Sequence, residues 1–207
     1  MCKLFDLTGK IAIVTGASTG LGQGMSIGLA EAGANLVLVD YVEMSETENI
    51  ISSLGRDYIS LKLDLMNKES IDIIVNETKK KFGTIDILVN NAGIIRRAPA
   101  IEFSEKDWDD VMYLNSKVVF FLSQAVAKIM IPNKRGKIIN IASMLSFQGG
   151  IIVPSYSASK GAVAQITKAL ANEWAQYGIN VNAIAPGYMA TNNTANIRKD
   201  PERFKSI

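Results

Sequence analysis

Tyr156 and Lys160 bracket the run Tyr-Ser-Ala-Ser-Lys, a spacing that puts both side chains on one face of a helix, one turn apart. A phenol placed there can take or give a proton if a neighbouring cation stabilises the phenolate, because an unassisted tyrosine titrates near pH ~10. The same pair also arises by chance on solvated helices, so the rest of the chain must decide. Ser143 precedes Tyr156 by thirteen positions and follows an apolar run at 137–142. It can hydrogen-bond a substrate oxygen or simply serve a turn. Asn115 interrupts a helical stripe of Trp108, Met112, Val119 and Leu122, where a buried amide costs stability unless it is hydrogen-bonded. It is either a satisfied core amide or part of a relay. The chain contains no histidine, which removes a Ser-His-Asp triad, argues against a zinc site and leaves acid–base work to Tyr, Lys, Asp or Glu.

A second constellation stands at the start of the chain. A β-branched run from residue 10 breaks into Gly16, Ser18, Thr19, Gly20, Leu21 and Gly22, and a helical pattern carrying Met25 and Leu29 follows. Glycines between strand and helix allow positive φ and let a diphosphate approach bare N–H groups at a positive helix end. The spacing is G-x-x-x-G-x-G and lacks a G-K-[ST] ending, so a dinucleotide is expected and a Mg-nucleotide is not. Asp40 ends the second strand twenty positions after Gly20, with no Lys or Arg at Ala17, Ser18, Thr19 or Tyr41. A carboxylate there accepts ribose hydroxyls and repels a 2′-phosphate, which predicts NAD as the cofactor; the plainer role is a strand-end cap. Arg96 and Arg97 follow the fourth strand, where at least one can pair with a substrate carboxylate or both can be solvated loop residues.

Six strands position these groups. Apolar runs at 10–15, 34–40, 58–63, 84–90, 137–142 and 179–184 alternate with helical patterns at 45–54, 67–82, from Ser104 through Leu122, and from Ser155 through Trp174. The alternation predicts an α/β fold: a doubly wound parallel sheet of Rossmann type, one domain over 1–207, with ligands at the carboxyl ends of the strands. A polar tail runs from Asn192 to Ile207. The 207 residues carry a net charge of +2 and 48% hydrophobic residues, which gives no case for nucleic acid or an anionic membrane and favours a small-molecule partner. The one cysteine, Cys2, permits no internal disulfide, and neither an apolar leader nor a spanning run is present, so a cytoplasmic location is expected.

Taken in order, Thr15-Gly-Ala-Ser-Thr-Gly-Leu-Gly22, Asn-Asn-Ala-Gly at 90–93, Asn115, Ser143, Tyr156-Ser-Ala-Ser-Lys160 and Pro186-Gly187 resemble the motifs of the short-chain dehydrogenase/reductases over essentially the whole chain. The stretches 94–97, 102–110, 142–150 and 185–194 resemble the branch of that family acting on small sugar acids of the 2-keto-3-deoxygluconate or 2-deoxygluconate type, with gluconate 5-dehydrogenases second. The resemblance implies a catalytic set of Asn115, Ser143, Tyr156 and Lys160, with Lys160 lowering the phenol pKa and binding the nicotinamide ribose. It places the glycine loop on the pyrophosphate, Asp64 and Leu65 at the adenine, Asn91, Ala92 and Gly93 along the adenosine ribose, and Pro186, Gly187 and Thr191 at the nicotinamide amide. Substrate contacts would come from Arg96, Arg97, Ser143, Phe147, Gln148 and Tyr156. Self-association is expected through the helices containing Asn115 and Tyr156. The family pattern also implies a seventh strand, absent from this sequence, and with it the expectation of at most a dimer with reduced turnover. The competing reading is a nucleotide-binding protein without useful turnover.

Overall fold

The computed structural model describes residues 5–191 together with 194, 199, 200, 202 and 205. Most of the expected polar tail, and Cys2, lie outside them. Six parallel strands form one sheet in the order β3-β2-β1-β4-β5-β6: β1 Ile11–Thr15, β2 Asn35–Asp40, β3 Tyr58–Lys62, β4 Ile87–Asn90, β5 Gly136–Ile141 and β6 Ile179–Ile184. The register sets Val14 between Leu38 and Val89. The order reverses between β1 and β4, and a ligand crevice opens at that reversal, beyond the carboxyl ends of the strands.

The strands read as continuous apolar runs because helices cover both faces, and their period of two divides the core. Ile11, Ile13, Val37, Val39, Leu88 and Ile138 point to one side, against Ile74 of α3 (Glu69–Phe82), Leu122 and Val126 of α5 (Val118–Met130), and Leu170 and Trp174 of α6 (Pro154–Trp174). Ala12, Val14, Leu36, Leu38 and Val89 point to the other, against Ala30 of α1 (Gly20–Glu31) and Ile51 of α2 (Ser45–Ser53).

Beyond shifts of one residue, three elements differ from the sequence reading. β4 begins at Ile87, three residues into the run at 84–90. α3 begins at Glu69, not at Asn67, because residues 64–70 close into a turn around Asp64. Its carboxylate accepts the Met66 N–H, and its carbonyl accepts the Asn67 N–H and the Ser70 hydroxyl. The long helix after Ser104 is α4 (Glu105–Met112) joined to α5 through a π-helical turn, Tyr113–Lys117. Ser104 does cap it, accepting the Asp107 N–H at 3.1 Å. The wider turn carries Asn115, and such insertions are frequent at functional positions.

Candidate active site

The glycine turn is shaped by approaches that no side chain would survive. Gly16 and Gly20 have φ of +68° and +60°, and a Cβ on Gly22 would lie 1.9 Å from the Gly16 carbonyl oxygen. Thr19 precedes α1 with extended backbone and makes no side-chain cap, and the first turn holds no acidic residue. Ser18, Leu21 and their neighbours therefore surround a helix end whose positive dipole and first N–H groups are left for an anion.

Two residues hold the turn against the strand-end loop at 91–93. The Asn91 amide donates to the carbonyls of Thr15 at 2.9 Å and Gly16 at 3.1 Å. The Thr15 hydroxyl accepts the N–H groups of Asn91 and Ala92, each at 3.0 Å. The sequence reasoning assigned Thr15 no role; its signal was a hydroxyl at the last position of the first strand. The Asp40 carboxylate is buried beside the same turn, accepting the Ser18 N–H at 3.0 Å and the Tyr41 N–H at 2.8 Å. It is a strand-end cap in this geometry, yet its two oxygens keep acceptor capacity for ribose hydroxyls. Thr191 folds back so that its side chain lies 3.6 Å from where a Gly20 Cβ would be. A pyridine nucleotide fits this cradle: bare helix N–H groups for its diphosphate, a carboxylate for a ribose, and a glycine floor. The exposed Asp64 carboxylate accepts the Met66 N–H, and the Leu65 side chain is in the core.

The proton-transfer group assembles at the carboxyl end of β5. Ser143 caps a 3₁₀ turn at Met144–Ser146, accepting the Leu145 N–H at 3.1 Å, while its own N–H donates to the Ser146 hydroxyl. Ser146 donates in turn to the Lys160 carbonyl at 2.7 Å, which ties the turn to α6. Pro154 opens that helix, where its missing N–H costs nothing. Tyr156 follows in the first turn and lines one cavity with Ser143. Lys160 is buried, with Nζ 5.7 Å from the Tyr156 ring centroid and donating to the Ile141 carbonyl at 2.5 Å. Burial lowers the ammonium pKa to about 8. Burial also raises the Tyr156 pKa, against which the Ser143 hydrogen bond and the Arg97 charge pull downward. The Lys160 ammonium donates to the strand-end carbonyl while lying 5.7 Å from the centroid of the phenol ring, and the Arg97 charge adds to the downward pull on the phenol.

Asn115 is fully buried. Its Oδ1 accepts the Ile94 N–H, and its Nδ2 donates to the Ile94 carbonyl and to Ser159 Oγ, all between 2.9 and 3.1 Å. It is a satisfied amide joining the loop after β4 to α6. Gly93 lies against it, a Cβ there meeting Oδ1 at 3.0 Å.

A cavity of about 350 Å³ is lined by Arg97, Ser143, Tyr156, Gly187, Ile152 and Asp200, among others. The two arginines part company. Arg97 lines this cavity, and Arg96 lies outside its lining, its guanidinium 3.2 Å from Asp107. Phe147 and Gln148 are exposed and are not among the lining residues. Pro186 contributes its carbonyl, which accepts the Met144 N–H at 3.2 Å. Asp200 and Ile152 carried no signal in the sequence, because one lies in the polar tail and the other reads as an ordinary aliphatic.

The short chain dehydrogenase family model matches residues 10–202. A 2-dehydro-3-deoxy-D-gluconate 5-dehydrogenase of Dickeya dadantii is 60% identical over 98% of this chain and 81% of its own length. A crystal structure described as a 2-deoxy-D-gluconate 3-dehydrogenase of Agrobacterium tumefaciens with bound NADP is 53% identical. It superposes with a TM-score of 0.87 over 98% of this chain and 80% of its own. A structure described as a gluconate 5-dehydrogenase of Beutenbergia cavernae, with NADP at low occupancy, has 42% identity and a TM-score of 0.92 over 98% of this chain and 81% of its own.

Proposed function

The chain belongs to the short-chain dehydrogenase family, oxidoreductases acting on CH–OH groups, and from that premise we propose that it moves a hydride between NAD and a secondary alcohol of a small sugar acid of the 2-dehydro-3-deoxy-D-gluconate type. The observation that carries this reading is one cavity lined by an arginine, a serine and a tyrosine together. When bound, the pyridine nucleotide supplies the hydride acceptor or donor. In oxidation the deprotonated Tyr156 oxygen takes the alcohol proton and becomes the phenol as the C–H bond gives up its hydride; in reduction the phenol gives that proton back. Ser143 donates a hydrogen bond to the substrate oxygen. Lys160 holds the nicotinamide ribose, with Asn115 behind it through a lone pair left on Oδ1. Arg97 takes the carboxylate in the bidentate geometry a guanidinium favours, and Arg96 serves the fold through Asp107.

NAD is preferred here because a 2′-phosphate would meet the Asp40 carboxylate, with no cation at Ala17, Ser18, Thr19 or Tyr41. The relatives with bound NADP make this the finer part of the proposal. Self-association through α4–α5 and α6 accompanies it, favoured by exposed Trp108 and Phe121 beside an open apolar groove that includes Met112, Phe120 and Ile166.

Absorbance at 340 nm, followed with 2-dehydro-3-deoxy-D-gluconate and with gluconate, each with NAD and with NADP, tests the assignment. The first substrate with NAD should give the highest kcat/KM; better use of gluconate would move the chain to the gluconate branch, and equal use of NADP would remove the cofactor assignment. Replacing Arg97 by Met should raise KM for the acid well above the effect of Arg96→Met, whereas equal effects would remove the carboxylate site.

A further inference from the structure

Among the described residues only Lys134 and Ile152 have positive φ without being glycine, and Ile152, at +59°, is β-branched. A β-branched side chain in the left-handed region is a true outlier, and such conformations persist only where the surroundings over-determine them. Two glycines lie just upstream, Gly149 and Gly150, yet neither takes the positive φ. The strain falls on the residue least suited to it.

Three constraints meet at this point. A Cβ on Gly150 would come within 2.5 Å of Val153 Cγ2 and 2.9 Å of Leu145 Cδ1, so the chain there is packed without slack. Val153 precedes Pro154, which restricts its backbone, and its carbonyl accepts the Ser157 N–H at the start of α6. The Ile152 carbonyl, turned by the left-handed conformation, accepts the Ala98 N–H at 3.1 Å. Ala98 is the next residue after Arg97, and Ile152 stands one helical turn before Tyr156. The bond thus joins the loop that carries the arginine to the turn that carries the phenol, across the cavity both residues line.

We propose that Ile152 is a positioning residue: its left-handed backbone straps the Arg97 loop to the first turn of the Tyr156 helix and so sets the span between the carboxylate-binding group and the proton-transfer hydroxyl. A fixed span selects which carbon of a sugar acid faces Tyr156 when the carboxylate is held at Arg97. The inference rests on the carboxylate reading of Arg97 given above.

Two substitutions separate backbone from side chain. Ile152→Pro forbids positive φ and turns the carbonyl away, whereas Ile152→Gly keeps the turn at no steric cost and removes the aliphatic group. With 2-dehydro-3-deoxy-D-gluconate, the proline variant should raise KM about three- to tenfold, the range expected for one lost hydrogen bond, with kcat changed less. Its KM for the corresponding carboxamide should stay near wild type. The glycine variant should keep KM for the acid within about twofold and melt no lower than wild type, since the relieved strain offsets the lost contact. An equal rise in both variants would assign the effect to the side chain and overturn the proposal. Amide exchange on the wild-type protein tests the strap whether or not the proline variant folds: the Ala98 N–H should be protected, and exchange at open-loop rates would overturn it. Arg97→Met is measured alongside. If that variant leaves KM unchanged, the carboxylate reading has failed; if it raises KM and Ile152→Pro does not, the strap alone has failed.

Discussion

The half of the chain that carries β1 to β3 and the half that carries β4 to β6 solve different problems with different materials. In the first, every described residue with positive φ is a glycine, and the buried polar side chains are hydroxyls such as Thr15 and Thr47 and the carboxylate of Asp40. In the second, positive φ falls on Lys134 and Ile152 as well as Gly178, and the buried polar groups include the amides of Asn90, Asn115 and Asn140 and the ammonium of Lys160. A dinucleotide is met by backbone, so its half needs shape. Proton transfer and substrate orientation need side chains placed out of water, so the other half carries groups that cost stability to bury.

The amides are not loose in that core. Asn90 donates to Ser123 and to Asn140, and Asn140 donates to Thr167, at 2.8 to 3.0 Å. This chain crosses from β4 and β5 to α5 and α6, the helices flanking the site. Each partner is satisfied, which is the condition under which a buried polar network fixes a geometry instead of weakening it.

If the division is real, chemistry and nucleotide binding come apart on mutation. Tyr156→Phe keeps the ring and removes the proton-carrying hydroxyl, so turnover should fall by roughly 10²–10⁴-fold. Nucleotide affinity, measured by quenching or calorimetry, should be unchanged. A comparable loss of affinity would mean that the two halves act as one unit and the contrast has no functional content.

Lys160 sharpens the comparison through stability. Its ordinary pKa of 10.5 falls to about 8 in the folded chain because burial penalises the ammonium. Below pH 8 the group is charged in both folded and unfolded states, and the burial cost is fully present. Between 8 and 10.5 the folded state releases its proton first, so the unfolded state binds more protons and stability rises with pH. The shift corresponds to a cost on the order of 3 kcal/mol at neutral pH. Lys160→Met should therefore be more stable than wild type at pH 7, by ~1–3 kcal/mol, with the gap closing towards the alkaline end of that window, while turnover is lost. Urea melts of both proteins across the pH range give the difference directly. No gap at pH 7 would show that the Ile141 carbonyl fully compensates the buried charge.

Gly22→Ala probes the other half. The new methyl would stand 1.9 Å from a backbone oxygen that cannot step aside. Overpacking of this kind costs ~1–3 kcal/mol, and the displaced turn should lower nucleotide affinity about tenfold or more. Unimpaired nucleotide binding in a folded variant would show that the cradle does not depend on that approach.

What could be read from the sequence follows the same division. The strand and helix order, the glycine turn and the Tyr156–Lys160 pair are all local, written in periods of two or 3.6 and in spacings of a few residues. The misses were non-local or energetic. Thr15 acts on amides 76 and 77 positions away, and nothing in its neighbourhood announces that. The start of α3 moved because Asp64 holds Asn67 in a turn, a competition between local hydrogen bonds that composition does not rank. The π turn at Asn115 adds width where the sequence shows only an apolar stripe with one amide in it. Arg96 and Arg97 were equivalent until the fold put one on the lining of the cavity and the other outside it. The depressed Lys160 ammonium follows from burial, and burial is a property of the fold.

The smallest expected effect separates the two kinds of glycine in α1. Gly22 is forced by contact, but Gly24 and Gly28 are exposed, have ordinary helical φ, and a Cβ on either would meet nothing within 4 Å. Alanine loses less conformational entropy on entering a helix than glycine does, so each substitution should stabilise the fold by ~0.5–1 kcal/mol without touching the nucleotide. Thermal melts and nucleotide titrations of Gly24→Ala and Gly28→Ala check this. A loss of affinity in either would extend the cradle a turn or two beyond Gly22. A gain in melting temperature with affinity intact would confine the functional glycines to the turn itself, and leave α1 beyond it as a helix whose sequence can be improved.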